Sequence, residues 1–287
     1  MLDFEIYMKR IDLPPEAVAS FRKLHSRIED AAFEARVADG FAAYDQGDEV
    51  FGQYLAEFAA EEGITPEEMN LYIFLRLSER TWQYYQEKGI GEDVFYESMY
   101  SMYVCTRVCY ERTGIYGIDQ KTYRRWQRYV LDGTLFRLGR LEFQLKSLEY
   151  DVEVEGVTVP AGQTVLSVHI PRYLPLDEAE CEKSYAWARE FFREYYGMEQ
   201  CVFFCGSWLL HPWMQEVLPE TSSIIKFQKK FKLLEVIQNV DSAKAWIFPG
   251  YETKEVSELP TDTTLRRAAI DRIKNGKPIG VARGIRL

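Results

Sequence analysis

The 287-residue chain is short of several things, and each shortage narrows its function. No apolar run approaches the roughly 20 residues that a membrane-spanning helix needs, and the opening MLDFEIYMKR has no apolar signal core. Positive charge is in deficit: 35 Lys and Arg stand against 45 Asp and Glu, a net charge of −10. Non-specific binding to nucleic acid or to an anionic membrane draws on excess Lys and Arg, so neither partner is expected. The five cysteines (Cys105, Cys109, Cys181, Cys201 and Cys205) are an odd number in a long chain and suggest no disulfide framework. Cys105-x-x-x-Cys109 falls on a helical apolar stripe with no His or Cys pair at metal spacing, so no zinc site is expected. These shortages together describe a cytoplasmic protein without a metal.

Apolar content, at 47% hydrophobic and 15% aromatic, is ample for burial, and the length suggests two domains. From about Pro14 to Leu131 the pattern is helical throughout. Val18, Phe21, His25, Ile28, Ala32 and Ala35 recur at three-four spacing. Thr65-Pro66-Glu67-Glu68 combines an N-cap, a proline at the first helical position and a Glu at the third, and predicts a helix to Lys88. A helix over about Glu92–Glu111 has two stripes, one through Phe95, Met99, Met102, Cys105 and Cys109, the other through Tyr96, Tyr100, Tyr103 and Tyr110. Two apolar stripes predict burial between two layers, with the Tyr face either packed or lining a groove. A last helix from Asp119 carries Tyr123, Trp126 and Val130.

At Asp132–Gly133 the period changes from helix to strand, which divides the chain into a helical domain, 1–133, and a mixed domain, 134–287. Leu135–Leu145 alternates as a strand, and Val152–Val159 reads as another with a Glu155-Gly156 turn inside it. Thr164–Ile170 has strand chemistry: Leu166, Val168 and Ile170 share one face, Val165, Ser167 and His169 the other. Pro171 ends that ladder. Asp177 and Glu180 read as a capping box for a helix with the stripe Cys181, Tyr185, Ala188, Phe192 and Tyr195, and Gly197 suits its C-cap. Cys201–Cys205 is strand again, so the unit is a parallel strand-helix-strand crossover. Beyond it, Ser223–Leu233 alternates as a strand, Ala245–Phe248 is a short strand, Asp262 caps a helix, and Ile279–Leu287 closes the sheet.

Ligands favour the carboxyl ends of strands in such units, which makes His169 the leading candidate. An imidazole there can take a proton from an amine or thiol, or can simply hold the strand end through a carbonyl, and the residues leave both open. Glu142 and Glu182 are candidates to orient it. Cys205 ends the adjacent strand, a thiol nucleophile on one reading and a core residue on the other. The connecting loop, Pro171-Arg172-Tyr173-Leu174-Pro175-Leu176, has no glycine, and Asp177, Glu178 and Glu180 follow it. A helix start of that kind repels a pyrophosphate, leaving Arg172 as the local cation. The row Lys226, Lys229, Lys230 and Lys232 either holds phosphates or protects a strand edge.

Five segments carry a resemblance: Leu138-Gly139-Arg140-Leu141-Glu142-Phe143, Val168-His169-Ile170-Pro171, Cys205-Gly206-Ser207-Trp208-Leu209-Leu210-His211-Pro212, Ile225-Lys226-Phe227-Gln228 and Leu259-Pro260-Thr261-Asp262-Thr263. Together with the helical half before them, they resemble a two-part bacterial acyltransferase-like family. Its members have an N-acyltransferase amino-terminal domain and a GNAT-like carboxyl-terminal domain. The chain departs from the family pattern at Gly206, where His is usual, and at His211, where Asp is usual. The resemblance implies an α+β fold, an all-helical domain followed by a GNAT-like mixed domain around the crossover. It also implies acyl-CoA or acetyl-CoA as co-substrate, bound in a splay beside the central strand, and a small-molecule or peptide amine as acceptor. The Gln/Arg-x-x-Gly-x-Gly/Ala phosphate loop of GNAT enzymes is missing here. The candidates are His169, Glu142 and Cys205 for catalysis, and Arg172, Lys226 and Ser207 for the cofactor, with the helical domain forming one wall of the acceptor site. Two other functions compete with acyl transfer: a GNAT-derived binding or regulatory module without chemistry, and a Cys205–His169 thiol hydrolase.

Overall fold

The computed structural model describes residues 2–119, 123–154, 156–238 and 240–287; of residues 123–125 and 240–242 it describes the backbone only. The chain forms two compact units, one of Met1–Arg137 with Pro171–Tyr173, the other of Leu138–Ile170 with Leu174–Leu287.

The first unit is helical: α1 (Phe4–Arg10), α2 (Pro15–His25), α3 (Ala31–Gln46), α4 (Asp48–Glu62), α5 (Pro66–Lys88), α6 (Glu92–Met99), α7 (Ser101–Thr113) and α8 (Tyr123–Leu131). Its axis is α5, which packs on α2, α3, α4, α6, α7 and α8. Thr65 and Glu68 close the expected capping box, and Gly89 ends the helix at a φ of 70°. The run from Val18 to Ala35 is two helices rather than one. Asp30 interrupts it by accepting from the Ala32 and Phe33 N–H groups, which starts α3 afresh. The two-striped helix is likewise divided at Tyr100 into α6 and α7, although Phe95, Met99, Met102, Cys105 and Cys109 are all buried as one face. The start predicted at Asp119 runs through residues outside the described ones, as does the Tyr123 side chain.

The remaining elements are β1 (Leu135–Leu138), β2 (Leu141–Ser147), β3 (Val152–Val154), β4 (Val157–Val159), β5 (Thr164–His169), α9 (Glu178–Tyr196), β6 (Phe203–Ser207), α10 (Met214–Val217), α11 (Ser223–Gln228), β7 (Lys232–Ile237), α12 (Val240–Ile247), α13 (Thr264–Lys274) and β8 (Val281–Arg286). The second unit is built on a mixed sheet of order β2-β5-β6-β8-β7. Only β5 and β6 are parallel within it, and α9 connects them. The expected crossover is therefore present, with Asp177 as N-cap accepting from the Glu180 N–H and Gly197 as a left-handed C-cap. The Glu180 side chain departs from the capping box, however: its Oε1 accepts from Lys183 Nζ at 2.7 Å.

Register sorts the sheet into two faces, because paired residues point the same way. One face carries Phe143, Leu166, Val168, Phe203 and Cys205 toward α9, where Phe143, Tyr185 and Phe203 pack ring on ring at 4.8–5.9 Å. The other face carries Glu142, Gln144 and Lys146 of β2, Val165, Ser167 and His169 of β5, Phe204 and Gly206 of β6, and Arg283 and Ile285 of β8. The β3–β4 hairpin covers part of that second face, burying Val152, Val154 and Val159 with Val165, Phe204 and Ile285. Glu155, in its predicted turn, lies outside the described residues.

Three strand readings are corrected. Leu135–Leu145 is not one strand: Gly139, at a φ of 76°, turns the chain between β1 and β2. The alternation of Ser223–Leu233 belongs to α11 and the start of β7, so Lys226 sits on a helix and not on a strand. Ala245–Phe248 lies mostly in α12, whose Ala243 and Ile247 join Trp213, Ile225, Ala269 and Ile279 in a separate core. The cap of α13 is Thr263, and Asp262 pairs with Arg266 at 2.9 Å instead.

Candidate active site

The site starts from a parting of strands. β5 and β6 register at Leu166↔Phe203 and Ser167↔Phe204. Beyond that pair each strand keeps its outer partner to its end, β2 alongside β5 as far as His169 and β8 alongside β6 as far as Ser207. The inner edges of Val168–His169 and of Cys205–Ser207 carry no registered pair with each other, so the sheet splays at the carboxyl end of its central parallel pair. Peptide groups released from a ladder in this way seek other partners.

His169 stands on the lip of the splay, on the face away from α9, directly across the β2 ladder from Glu142. Its Nε2 lies 3.1 Å from Gln144 Oε1, an arrangement in which Nε2–H donates and Nδ1 is the basic nitrogen. Burial, reinforced by the nearby Lys146 ammonium, pushes the imidazole down to about 4, so the ring is neutral at pH 7. Glu142 is buried on the same face. Glu182 is not near: it accepts both Arg286 guanidinium nitrogens at 3.0 and 2.7 Å on the α9 side of the sheet.

Cys205 is completely buried on the α9 face, opposite in direction to His169, and burial alone pushes its thiol up to about 12. Ser207 accepts from the Leu209 N–H at 3.2 Å and so caps the short helical turn after β6. His211, buried, accepts from the Trp213 N–H at Nδ1 and donates from Nε2 to Gln238 Oε1 at 2.9 Å, a turn-holding role. Gly206 is exposed, and a Cβ built there comes no nearer than 4.0 Å to any side chain.

Two features answer the missing phosphate loop. Arg140, buried, donates to the Leu174 and Pro175 carbonyls at 3.0 and 2.6 Å, which fixes the chain entering α9 without a glycine. Ser184 Oγ in turn accepts from the Arg140 and Leu141 N–H groups at 2.8 and 3.3 Å. The acidic start of α9 is also not left bare. Glu178 faces Lys226 at 3.4 Å and Lys230 at 3.1 Å, and Lys230 reaches Glu182 at 3.6 Å. Those lysines, Lys230 first, hold the Glu178 carboxyl below its usual range. A cleft between α9 and α11, floored by Cys181, Tyr185 and Phe227, opens beside both lysines. Arg172 belongs to the Pro171–Tyr173 segment that groups with the helical unit. The sequence pattern singles out His169 and Lys226. It names Lys230 only within a lysine row, and it passes over Gln144, Lys146 and Ser184, whose partners lie on other elements.

Among the described residues no three His, Cys, Asp or Glu side chains group as a metal site, and no helix is long and apolar enough to cross a membrane.

No curated protein sequence matches the chain significantly. Solved structures do match its fold. An acyltransferase mutant in complex with octanoyl-CoA has a TM-score of 0.76 at 21% identity, over 98% of this chain and 86% of that one. An acyltransferase in complex with CoA and 10C-teicoplanin has a TM-score of 0.69 at 21% identity, over 99% of both chains. A complex with decanoyl-CoA and teicoplanin gives the same values. Residues 3–133 match the model of the N-acyltransferase N-terminal domain. With residues 135–286 matching the GNAT-like C-terminal domain, the chain belongs to this two-domain acyltransferase-like family.

Proposed function

We propose that the protein transfers an acyl group from acyl-CoA to an amine, with the β5–β6 splay as the thioester site. The observation that carries this reading is the splay itself, with a neutral histidine on its lip. Inner-edge backbone groups of Val168 and Gly206, on the strand side from which Leu166 N–H donates to Val202 O, suit the two amides of a pantetheine arm, which needs extended backbone for pairing. Lys226 and Lys230, beside the start of α9, suit the phosphates, and a phosphate there displaces Glu178 as their partner. Acyl-CoA in the structurally similar acyltransferases supports the same donor class.

The amine nitrogen attacks the thioester carbonyl carbon. A C–N bond forms, and the C–S bond breaks with its electron pair on sulfur. The proton lost by nitrogen passes to His169 Nδ1 and from there to the CoA sulfur, so the products are an amide and a thiol. The attacking nitrogen grows more acidic as the C–N bond forms, so its proton moves to the ring in that step. Glu142, buried directly across the ladder from His169, is the acidic side chain placed to orient the ring. Thiol hydrolysis through Cys205 gains no support from a buried sulfur on the opposite face. A binding module without chemistry is not favoured, since the neutralised Glu178 removes the main objection to a phosphate.

The test is calorimetric titration of the whole chain with CoA, acetyl-CoA and octanoyl-CoA, repeated on a Lys226→Ala, Lys230→Ala double variant. Saturable binding weakened about tenfold or more in that variant is expected, at about 1.4 kcal/mol per tenfold. Silence from all three ligands in folded protein sinks the proposal.

A further inference from the structure

The face that presents His169 holds a second feature that acyl transfer to an unspecified amine does not use. The residues lining a cleft on it include Lys146, Glu149, Tyr150, Val165, Phe204 and Arg283. Lys146 and Arg283 stand on β2 and β8, three strand spacings across and four residues along the strands from each other, about 19 Å between backbones. Their long side chains converge on the same opening, and Lys146 Nζ lies 5.4 Å above the Phe204 ring. Phe204, largely buried under the β3–β4 hairpin, shows only its edge in the cleft, with a cation at either side.

Both cations hold replaceable partners. Lys146 pairs with Glu149 at 3.4 Å and Arg283 with Glu235 at 3.0 Å, each across partly exposed side chains. Pairs of that kind contribute at most about 1 kcal/mol, so a ligand anion can take over. A path leads from the cleft to the splay. Gly206 is the residue registered against Arg283, one step along β6 from Phe204 on the same face. Its φ is not among the positive values, and its Cβ position is open, so neither backbone strain nor crowding calls for glycine. A glycine inside a strand marks a place where something else approaches the backbone closely.

We propose that the acceptor is an amine that also carries a carboxylate on an apolar or aromatic body. The carboxylate sits between Lys146 and Arg283, the body lies on Phe204, and the chain of the acceptor passes over Gly206 to bring its amine to His169. This inference rests on the acyl-transfer reading and adds the chemical class of its second substrate.

The experiment offers the full-length protein an acyl-CoA and a panel of free amino acids and short peptides, each beside its amide and its decarboxylated amine. Amide product is measured by mass spectrometry, and acyl-CoA binding by calorimetry in parallel. A preference of about 10- to 100-fold in kcat/KM for the carboxylates is expected, the range a lost charged hydrogen bond gives. Lys146→Met and Arg283→Met are expected to pull that ratio toward one, mainly through KM. Gly206→Val is expected to cut kcat/KM for every acceptor. Equal rates for carboxylates and amides, or a preference that survives the double Met variant, overturn the acceptor class and leave acyl transfer standing. Acyl-CoA binding with no amine acylated overturns the acceptor class too, and absence of both overturns it together with the function it rests on.

Discussion

Gln144 and His169 face each other across an antiparallel ladder, two residues apart from direct register, with Oε1 of the amide 3.1 Å from Nε2 of the ring. An amide there fixes the tautomer without lending charge. Gln144→Glu replaces it with a carboxylate of nearly the same shape. The imidazole midpoint, followed by NMR, is expected to rise from about 4 by about 1–3 units, the usual effect of an adjacent opposite charge. An unmoved midpoint shows that Gln144 does not bear on the ring.

The same depressed midpoint makes stability depend on pH. His169 titrates near 6.5 in the unfolded chain and near 4 in the folded one, so between those values the unfolded chain binds more protons. Its contribution is complete above about pH 6.5 and is lost as pH falls toward 4, by up to about 1.4 kcal/mol per pH unit. His169→Gln removes that slope. Urea unfolding at pH 7 and pH 5 is expected to show a smaller loss in the variant than in the parent, and equal losses contradict the depressed midpoint of the ring.

Much of this arrangement is legible along the chain, and the illegible part has a common cause. The crossover from Thr164 to Cys205 is readable because Leu166/Val168 alternation, the Pro171 stop and the Asp177 cap are local signals. His169 follows from it as the last residue of β5. Gln144 does not, because 25 residues separate it from His169 and only the β2–β5 register brings them together. The misread Ser223–Leu233 stretch fails differently. Six residues of α11 offer fewer than two turns, too few for a helical period to outweigh the alternation of Ile225 and Phe227. Lys226 therefore stands on a helix beside Glu178 and not on the strand the alternation suggested.

Cysteine chemistry gives a direct test of which residues act. Cys105, Cys109, Cys181, Cys201 and Cys205 are all buried, and none is in a disulfide. Burial pushes the thiols of Cys181 and Cys205 up to about 11 and about 12. Iodoacetamide at pH 7.5 is expected to leave both unmodified in folded protein and to label them only on denaturation. Rapid labelling of Cys205 in the folded state restores the nucleophile reading that its burial argues against.

Gly117 tests the packing of the helical unit. A Cβ at that position falls 2.4 Å from the Glu67 carbonyl carbon and 2.5 Å from its oxygen, both backbone atoms that cannot step aside. The close approach is used: the Ile118 N–H donates to Glu67 O at 2.9 Å, and Asn70 Nδ2 donates to Ile118 O at 3.0 Å. Gly117→Ala is expected to destabilise the unit by about 1–3 kcal/mol, the range for overpacking, with both hydrogen bonds lengthened. A variant as stable as the parent shows that the segment before Ile118 shifts freely.

Arg140 carries the last expectation, because it holds the glycine-free loop that leads into α9. Its guanidinium donates to the Leu174 and Pro175 carbonyls, while its own N–H and that of Leu141 rest on Ser184 of α9. One buried cation thus ties the turn before β2 to the loop before α9. Arg140→Lys keeps the charge but cannot span two carbonyls with a planar fork. We expect stability to fall by about 1–3 kcal/mol, the range for a charged hydrogen bond. Acyl-CoA affinity is expected to fall with it, since Glu178 and its lysine partners sit one turn beyond the loosened loop. Ser184→Ala frees the same turn from the other side without touching a carbonyl of the loop. Loss of stability in both variants, with loss of CoA affinity mainly in Arg140→Lys, is the outcome if Arg140 shapes the phosphate end of the site. Equal affinity in both reduces Arg140 to a structural tie.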